Sequence, residues 1–397
     1  MPSRPSNTLE IRAGAAMPLG MPPAEFLRRY WQKRPLLIRQ AFPDFESPVS
    51  PDDLAGLACE EIAPSRIVVH RQRGDRWELR HGPFAEGDFA RLPKTRWTLL
   101  VQDCDKLLAE VGALLNEFRF VPDWRLDDVM ISYAVDGGSV GPHLDQYDVF
   151  LLQAQGKRRW SISVDPRAPA EFRPGLPLKL LRTFSPTHEW VLEPGDMLYL
   201  PPGVPHHGVA VGECMTWSIG MRAPSVAELL IDFAEGYAAR HGEETRYSDP
   251  QLALQREPGE ISEVAIAGVS RLMRKALAGD GKEIRDGFAR FITRYRSSHQ
   301  AVPARRQIQA PALKSRMHGG AVLYRSPWSR IAFLRDARPS RAVLYCAGEP
   351  YPCSLKLAKI VANANRWEHA ALARLTAPEW NTIVALHNAG HLVLARA

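Results

Sequence analysis

The chain has 397 residues, 45% of them hydrophobic and 24% charged, with a net charge of +7. That length is too great for one compact core, so two or three domains are expected, and the composition is that of an ordinary globular protein rather than a disordered or fibrous one. The opening "MPSRPSNTLEIRAGAAMP" lacks the basic start and apolar run of a signal peptide, and no apolar stretch reaches the roughly 20 residues of a membrane span, so no membrane association is expected.

In chain order, "PAEFLRRYWQKR" predicts a helix that runs into a short strand, "PLLIRQAF". Residues 64–120 mix short strands with a helix near Cys104 to Phe120. From 125 to 222 the texture becomes short, often alternating runs: "DVMISYAV", "YDVFLLQAQ", "RRWSISV", "HEWVLEP", "DMLYLPP" and "CMTWSIGMR". The breaks between them are "DGGSVG", "QGK", "EPGD" and "PPGVP". Many short strands at close spacing predict an antiparallel barrel or double-sheet roll.

The pattern changes at Pro224. Val226, Leu229, Leu230, Phe233 and Tyr237 form a helical stripe, a second helix is expected over Ile261 to Leu277, and Ile284, Phe288, Phe291, Ile292 and Tyr295 form a third stripe. These broad apolar faces cover one another or a second copy of the chain, and a homodimer is expected. "SSHQAVPARRQ" reads as a linker. The last hundred residues mix strands such as "RAVLYCA" with helices such as "WEHAALARL" and "APEWNTIVALHNAG", and the closing "HLVLARA" fits the wing of a winged-helix unit. The expected division is a β-rich domain over 1–222, a helical dimerisation region over 223–297 and a basic C-terminal domain over 298–397.

Charge is segregated the same way. Residues 301–397 hold 14 Lys or Arg against 4 Asp or Glu, whereas the rest of the chain is slightly acidic. A basic domain of this kind is an electrostatic footprint for RNA or simply a soluble basic surface. The five cysteines, Cys59, Cys104, Cys214, Cys346 and Cys353, form no CxxC pair. Neither a disulfide framework nor a zinc site is expected, and a reducing cytoplasm fits.

Chemistry concentrates in "GPHLDQYDVF" and in "LEPGDMLYLPPGVPHHG". Read as a strand, the first places His143 and Asp145 on one face, because side chains alternate with a period of two. The second brings a histidine back to the same mouth of a roll, 63 residues after His143. Two imidazoles and one carboxylate make a facial triad that leaves coordination sites open on an octahedral iron. His206 follows Val204-Pro205, whose restricted backbone suits a ligand; His207 is the alternative. In "QGKRRWSISV", Arg158, Trp160 and Ile162 share the more apolar face, so Arg158 is either a buried cation awaiting an anion or a snorkelling surface arginine.

These segments resemble the JmjC/cupin Fe(II)- and 2-oxoglutarate-dependent oxygenases. "EFLRRYWQKRPLLIRQAFP", "DDVMISYAVDGGSVGPHLDQYDVFLLQ", "GDMLYLPPGVPHHGVA" and "SIGMRAP" are similar to the bacterial ribosomal oxygenases of the cupin-4 type. The resemblance is dense from about residue 20 to 222 and looser beyond. It implies a double-stranded β-helix (a cupin/JmjC jelly roll), a dimerising helical bundle and a winged-helix-like α+β domain. It implies iron on His143, Asp145 and His206, and 2-oxoglutarate on Arg158 and Ser132. The implied reaction uses O2, converts 2-oxoglutarate to succinate and CO2, and 3-hydroxylates an arginine of large-subunit ribosomal protein number sixteen. One departure is "PHHG", where a second histidine follows the first. Lysine demethylation, histidine hydroxylation and a cupin-sensor regulator that binds nucleic acid are the competing readings. An arginine substrate needs an anion near the iron, and Asp136, in the glycine-rich "VDGGSVGPH", is the expected partner; ordinary Asp-Gly turn chemistry is the alternative.

Overall fold

The computed structural model describes residues 8–14, 17–242, 246–250, 252–254, 257, 259–278, 281–294 and 300–396. They form two compact units, 1–223 and 224–397. Among them no helix is long and apolar enough to cross a membrane.

The first unit is built on a sheet of ten strands, β1 (Glu10–Arg12), β2 (Leu36–Arg39), β3 (Ser65–Arg71), β4 (Arg76–His81), β5 (Trp97–Val101), β6 (Leu126–Ala134), β7 (Val149–Ile162), β8 (His188–Leu192), β9 (Met197–Leu200) and β10 (His206–Met221). Their order is β1-β2-β9-β7-β10-β6-β5-β3-β4, with β8 also on β7. The expected break at "QGK" is absent: β7 runs through it. Gly156 makes this possible by taking φ +62 and bringing its Cα so close to β10 that a Cβ would lie 2.1 Å from the Glu213 carbonyl oxygen. The register shifts there, between Val211 and Met215, as at a β-bulge, which bends a strand without ending it. One strand therefore serves two layers. Val149–Leu152 pair with β9, and Arg158–Ile162 pair with β8.

Alternation gives this roll two packed faces. Phe150, Leu152, Tyr199, Met215 and Trp217 turn outward and are covered by residues such as Phe26 and Tyr30, in and just after helix α1 (Pro23–Arg29), and Leu54 of helix α2 (Pro51–Ala58). Trp217 is fully buried, and truncating it to Ala would cost about 3–5 kcal/mol. The buried Asp148 carboxylate pins this layer, accepting from Gln32 Nε2 (2.9 Å), Arg125 Nη2 (2.8 Å) and Tyr199 OH (2.6 Å). The opposite parity, Leu151, Trp160, Ile162, Leu198 and Leu200, faces into the roll.

The second unit opens with α3 (Val226–His241), α4 (Glu263–Ala278) and α5 (Lys282–Thr293). Ser225 and Glu228 close a capping box at the start of α3, which satisfies the first free N–H groups of the helix. Val226, Leu230 and Ile231 on α3 and Val264, Ile266, Val269 and Met273 on α4 are exposed. Helix α5 instead packs on a three-stranded sheet, β12 (Ile331–Arg335), β13 (Arg341–Cys346) and β14 (Glu349–Ser354). Tyr345 OH donates to Asp286 Oδ1 (2.7 Å), and the Gly348 N–H donates to Thr293 Oγ1 (3.1 Å). A second sheet orders β15 (Arg366–Trp367), β11 (Ala321–Arg325) and β16 (Leu392–Arg396). Helices α6 (Ala310–His318), α7 (Leu355–Ala362) and α8 (Ala377–Asn388) close the core through Leu313, Met317, Leu357, Val361, Trp380 and Ile383. Tyr295, the start of the expected linker and Ala397 lie outside the described residues.

Candidate metal centre

His143 does not lie in a regular strand. It forms an isolated bridge with His206, the first residue of β10. The two residues exchange backbone hydrogen bonds, His143 N–H to His206 O (3.0 Å) and His206 N–H to His143 O (2.8 Å). Asp145 follows in a turn, and its carbonyl accepts from the Gly203 N–H (2.7 Å). The expected same-face pair is thus assembled by a bridge and a loop contact rather than by strand alternation. Gly141 lets the chain enter this turn: at φ +80 a Cβ would sit 2.7 Å from Leu180 and 3.1 Å from Trp77.

Both imidazoles are oriented by the same local device. His143 Nδ1 lies 2.9 Å from Gly141 O, and His206 Nδ1 lies 2.9 Å from Val204 O. A carbonyl only accepts, so each Nδ1 carries the proton and each Nε2 presents a lone pair. His206 Nε2 is 3.7 Å from Asp145 Oδ2. One donor atom from each of His143, Asp145 and His206 falls within 4.8 Å of the others, the only such group among the described residues. Burial, reinforced by His143, holds His206 well below the usual histidine pKa, so it stays neutral and available as a donor.

His207 occupies the other face of β10. Its Nε2 lies 3.0 Å from Ser139 Oγ, and its ring stands edge-on to Phe184 at 6.2 Å. Burial pushes its pKa down to about 4.

Arg158 is buried. It pairs in register with Ala210, four residues along β10 from His206, or about 13 Å of strand. Its Nη1 donates to Ser132 Oγ (3.1 Å) and Thr216 Oγ1 (3.2 Å), and Thr216 donates on to Gln153 Oε1 (3.1 Å). Its guanidinium carbon lies 5.3 Å from the centre of the Trp160 ring, whose other neighbour is His206 at 5.9 Å. Its Nε is buried with no partner. Burial lowers its pKa, and no carboxylate opposes that shift. A desolvated cation held by two hydroxyls and an aromatic face, with no carboxylate beside it among the described residues, calls for an anion from outside the protein. Sequence reasoning missed Thr216 and Gln153; strand parity with Ser132 across the ladder would have found them.

Asp136 sits in the loop that runs beside the first half of β10. Its carboxylate is exposed and accepts from the Gly212 N–H (2.9 Å). The loop after it runs back along the first half of β10, with Gly137 N–H bonded to Ala210 O and Ala210 N–H to Gly138 O, before His143 meets His206. Gly212 is six residues from His206, about 20 Å of strand. Asp128 is the carboxylate that shares the face of Met130 and Ser132 on β6. It accepts one long bond, from the Asp103 N–H (3.4 Å), and burial, helped by Asp127 and Asp105 and opposed by Lys106, pushes it up to about 7.

Comparison with known proteins agrees with this geometry. Residues 113–229 match the family described as JmjC domain, and residues 276–392 match the ROXA-like winged helix. The chain is 37% identical over 312 residues to the ribosomal protein uL16 3-hydroxylase of Escherichia coli (strain K12), covering 79% of this chain and 82% of that one. It superposes on the crystal structure of E. coli ycfD with a TM-score of 0.83 at 33% identity, over 94% of this chain and 98% of that one. A structure of the E. coli ribosomal oxygenase YcfD in complex with cobalt and 2-oxoglutarate matches over the same shares with a TM-score of 0.81, also at 33% identity.

Proposed function

Because the chain belongs to the ribosomal-oxygenase family of JmjC-domain proteins, we propose that it is an Fe(II)- and 2-oxoglutarate-dependent hydroxylase that 3-hydroxylates an arginine of ribosomal protein uL16. The observation that carries this reading is the buried, carboxylate-free Arg158 on the same face as the His143–Asp145–His206 cluster. Iron, 2-oxoglutarate and O2, when bound, supply the oxidation of a C–H bond, with succinate and CO2 as co-products.

The chain's own residues bind, orient and exclude water. His143 and His206 would lend Nε2, and Asp145 a carboxylate oxygen, to the iron, a donor set that suits an ion with room for further ligands. The carbonyls of Gly141 and Val204 fix the tautomer of each ligand, the usual task of groups behind a metal-bound histidine. Arg158 takes the distal carboxylate of 2-oxoglutarate, and Ser132 and Thr216 hold its guanidinium in place. Leu151, Trp160 and Ile162 keep the floor dry, which strengthens each electrostatic contact inside. Mass spectrometry of uL16 incubated with the enzyme, Fe(II), 2-oxoglutarate and O2 tests the reading. One added oxygen per chain with matched succinate is expected. Formaldehyde release would instead indicate demethylation, and no modification would defeat the assignment.

Two carboxylates are candidates for the substrate guanidinium, Asp136 in the loop before His143 and Asp128, and we favour Asp128 because it shares the Ser132 face of β6. Asp128→Asn is expected to cut hydroxylation of a uL16 peptide more than tenfold, on the order of the 1.5–3 kcal/mol of a charge-assisted hydrogen bond. Substrate-free succinate formation should be spared. Asp136→Asn, which keeps the turn, is expected to stay near wild type on both measures. The opposite ranking would return the role to Asp136.

The exposed apolar faces of α3 and α4 support a homodimer through this helical region, with the roll before it and the basic winged-helix domain after it. Light scattering at micromolar concentration should give twice the chain mass, and Leu230→Glu with Met273→Glu should give a monomer. A monomeric wild type would remove the proposal. A cytoplasmic location fits a ribosomal-protein substrate and five unpaired cysteines.

A further inference from the structure

Helix α8 carries no lysine or arginine, so the last long helix of the winged-helix domain does not supply its positive charge. Cations of the second unit meet instead around a cleft of about 1020 Å³ lined by the end of α3, helix α5 and strands β12–β14. Five cations border it: Arg240, Lys282, Arg285, Arg335 and Arg338. Its three carboxylates are already engaged. Glu283 meets His241 (2.7 Å), Asp286 holds Arg290 (2.8 Å) and Tyr345, and Asp336 pairs with Arg338 (3.2 Å).

Arg240, Arg285 and Arg335 are exposed, and none is ion-paired with a described carboxylate. Arg285 Nη2 donates to the carbonyl of Arg335 (3.0 Å), which sets two cationic residues side by side. Cations that border one cleft favour an anion within it. The three arginines come from three separate elements along an open cleft, so they do not converge on one phosphate. The aromatic residue of the cleft, Tyr345, is buried with its hydroxyl tied to Asp286, and it offers no face on which a base could stack.

We infer that this cleft is a docking site for the phosphodiester backbone of single-stranded RNA, bound without regard to base sequence. The choice of RNA over an acidic peptide rests on the ribosomal-protein reading of the active site, since such a substrate sits among ribosomal RNA. Contacts to phosphate position a protein on a nucleic acid and do not read its bases.

The test is a fluorescence-anisotropy titration of the full-length enzyme with labelled oligouridine over a range of salt concentrations. Three phosphate contacts at about −0.7 each predict a slope of log K against log salt near −2. Arg285→Gln with Arg335→Gln should reduce it by about 1.4 units. Lys359→Gln with Arg374→Gln, an equal charge change elsewhere on the domain, should leave it unchanged. Hydroxylation of a short uL16 peptide should be the same in all three proteins, which also reports that the cleft variant is folded. Absence of RNA binding by the wild type would overturn the inference. So would an equal loss in the control variant, which would mean net charge alone, or displacement of the RNA by polyglutamate at matched charge. Failure of peptide hydroxylation in every protein, wild type included, would count against the active-site reading and not against the cleft.

Discussion

Asp145→Ala should reduce 2-oxoglutarate turnover by more than a hundredfold while leaving the protein folded. Losing a group that merely orients a metal ligand costs about 10–100-fold, and Asp145 is proposed as a direct ligand, the sole carboxylate of its cluster. Its side chain approaches His206 at 3.7 Å and meets the Tyr147 hydroxyl, and the bond that fixes the turn, to the Gly203 N–H, uses its backbone carbonyl. Anaerobic equilibrium dialysis against Fe(II) should show weakened binding, and the circular dichroism spectrum should match wild type. His207→Ala is the companion measurement. That ring contacts Ser139 and Phe184 on the other face, so most of the turnover should survive. Normal succinate formation by Asp145→Ala, or equal losses in the two variants, would discard the proposed ligand set.

The next largest effect is expected at Arg158. Arg158→Ala should raise the KM for 2-oxoglutarate at least tenfold, because removing one partner of a buried charged pair costs about 2–5 kcal/mol. The same substitution should not destabilise the enzyme when no cosubstrate is present. Its cation then has no carboxylate to lose, and taking a lone charge out of the interior removes a desolvation cost. The two thermal measurements therefore move apart. The melting temperature without 2-oxoglutarate should hold or rise, and the increase that saturating 2-oxoglutarate gives the wild type by mass action should vanish. An unchanged cosubstrate titration would show that another group holds the distal carboxylate.

The roll was legible from its alternating runs, and so were the clustering of His143, Asp145 and His206 and the burial of Arg158, because ligand chemistry restricts residue type and parity restricts facing. What escaped the sequence depended on chain path. "QGK" reads as a turn, yet it is a bulge, since only the opposing Glu213 backbone tells Gly156 to continue the strand. Asp136 precedes His143 by only seven positions, and the sequence does not show that those positions run along the first half of β10. Asp128, the carboxylate proposed for the substrate guanidinium, shares parity with Ser132, and its neighbour Asp127 faces the other way. The choice between His206 and His207 turned on where β10 begins, and helix and strand ends are the least determined part of any sequence pattern.

The bridge between His143 and His206 also bears on when the centre can come into being. It closes an excursion of 63 residues that contains β7, β8 and β9. The entropy of closing such a loop grows only slowly with its length, so the closure is affordable, but it cannot happen early. A chain leaving the ribosome presents first a lone His-x-Asp turn with two of three donors. The third arrives only after three further strands have been made and β10 has docked. Iron would thus be acquired by a finished roll and not by a nascent chain. Once there, it would act as a clasp on the first half of β10, whose second edge is guarded by a loop instead of a strand. A ligand bound by the native state alone draws the folding equilibrium toward it, so iron supply would set the lifetime of the fold as well as the rate of the reaction.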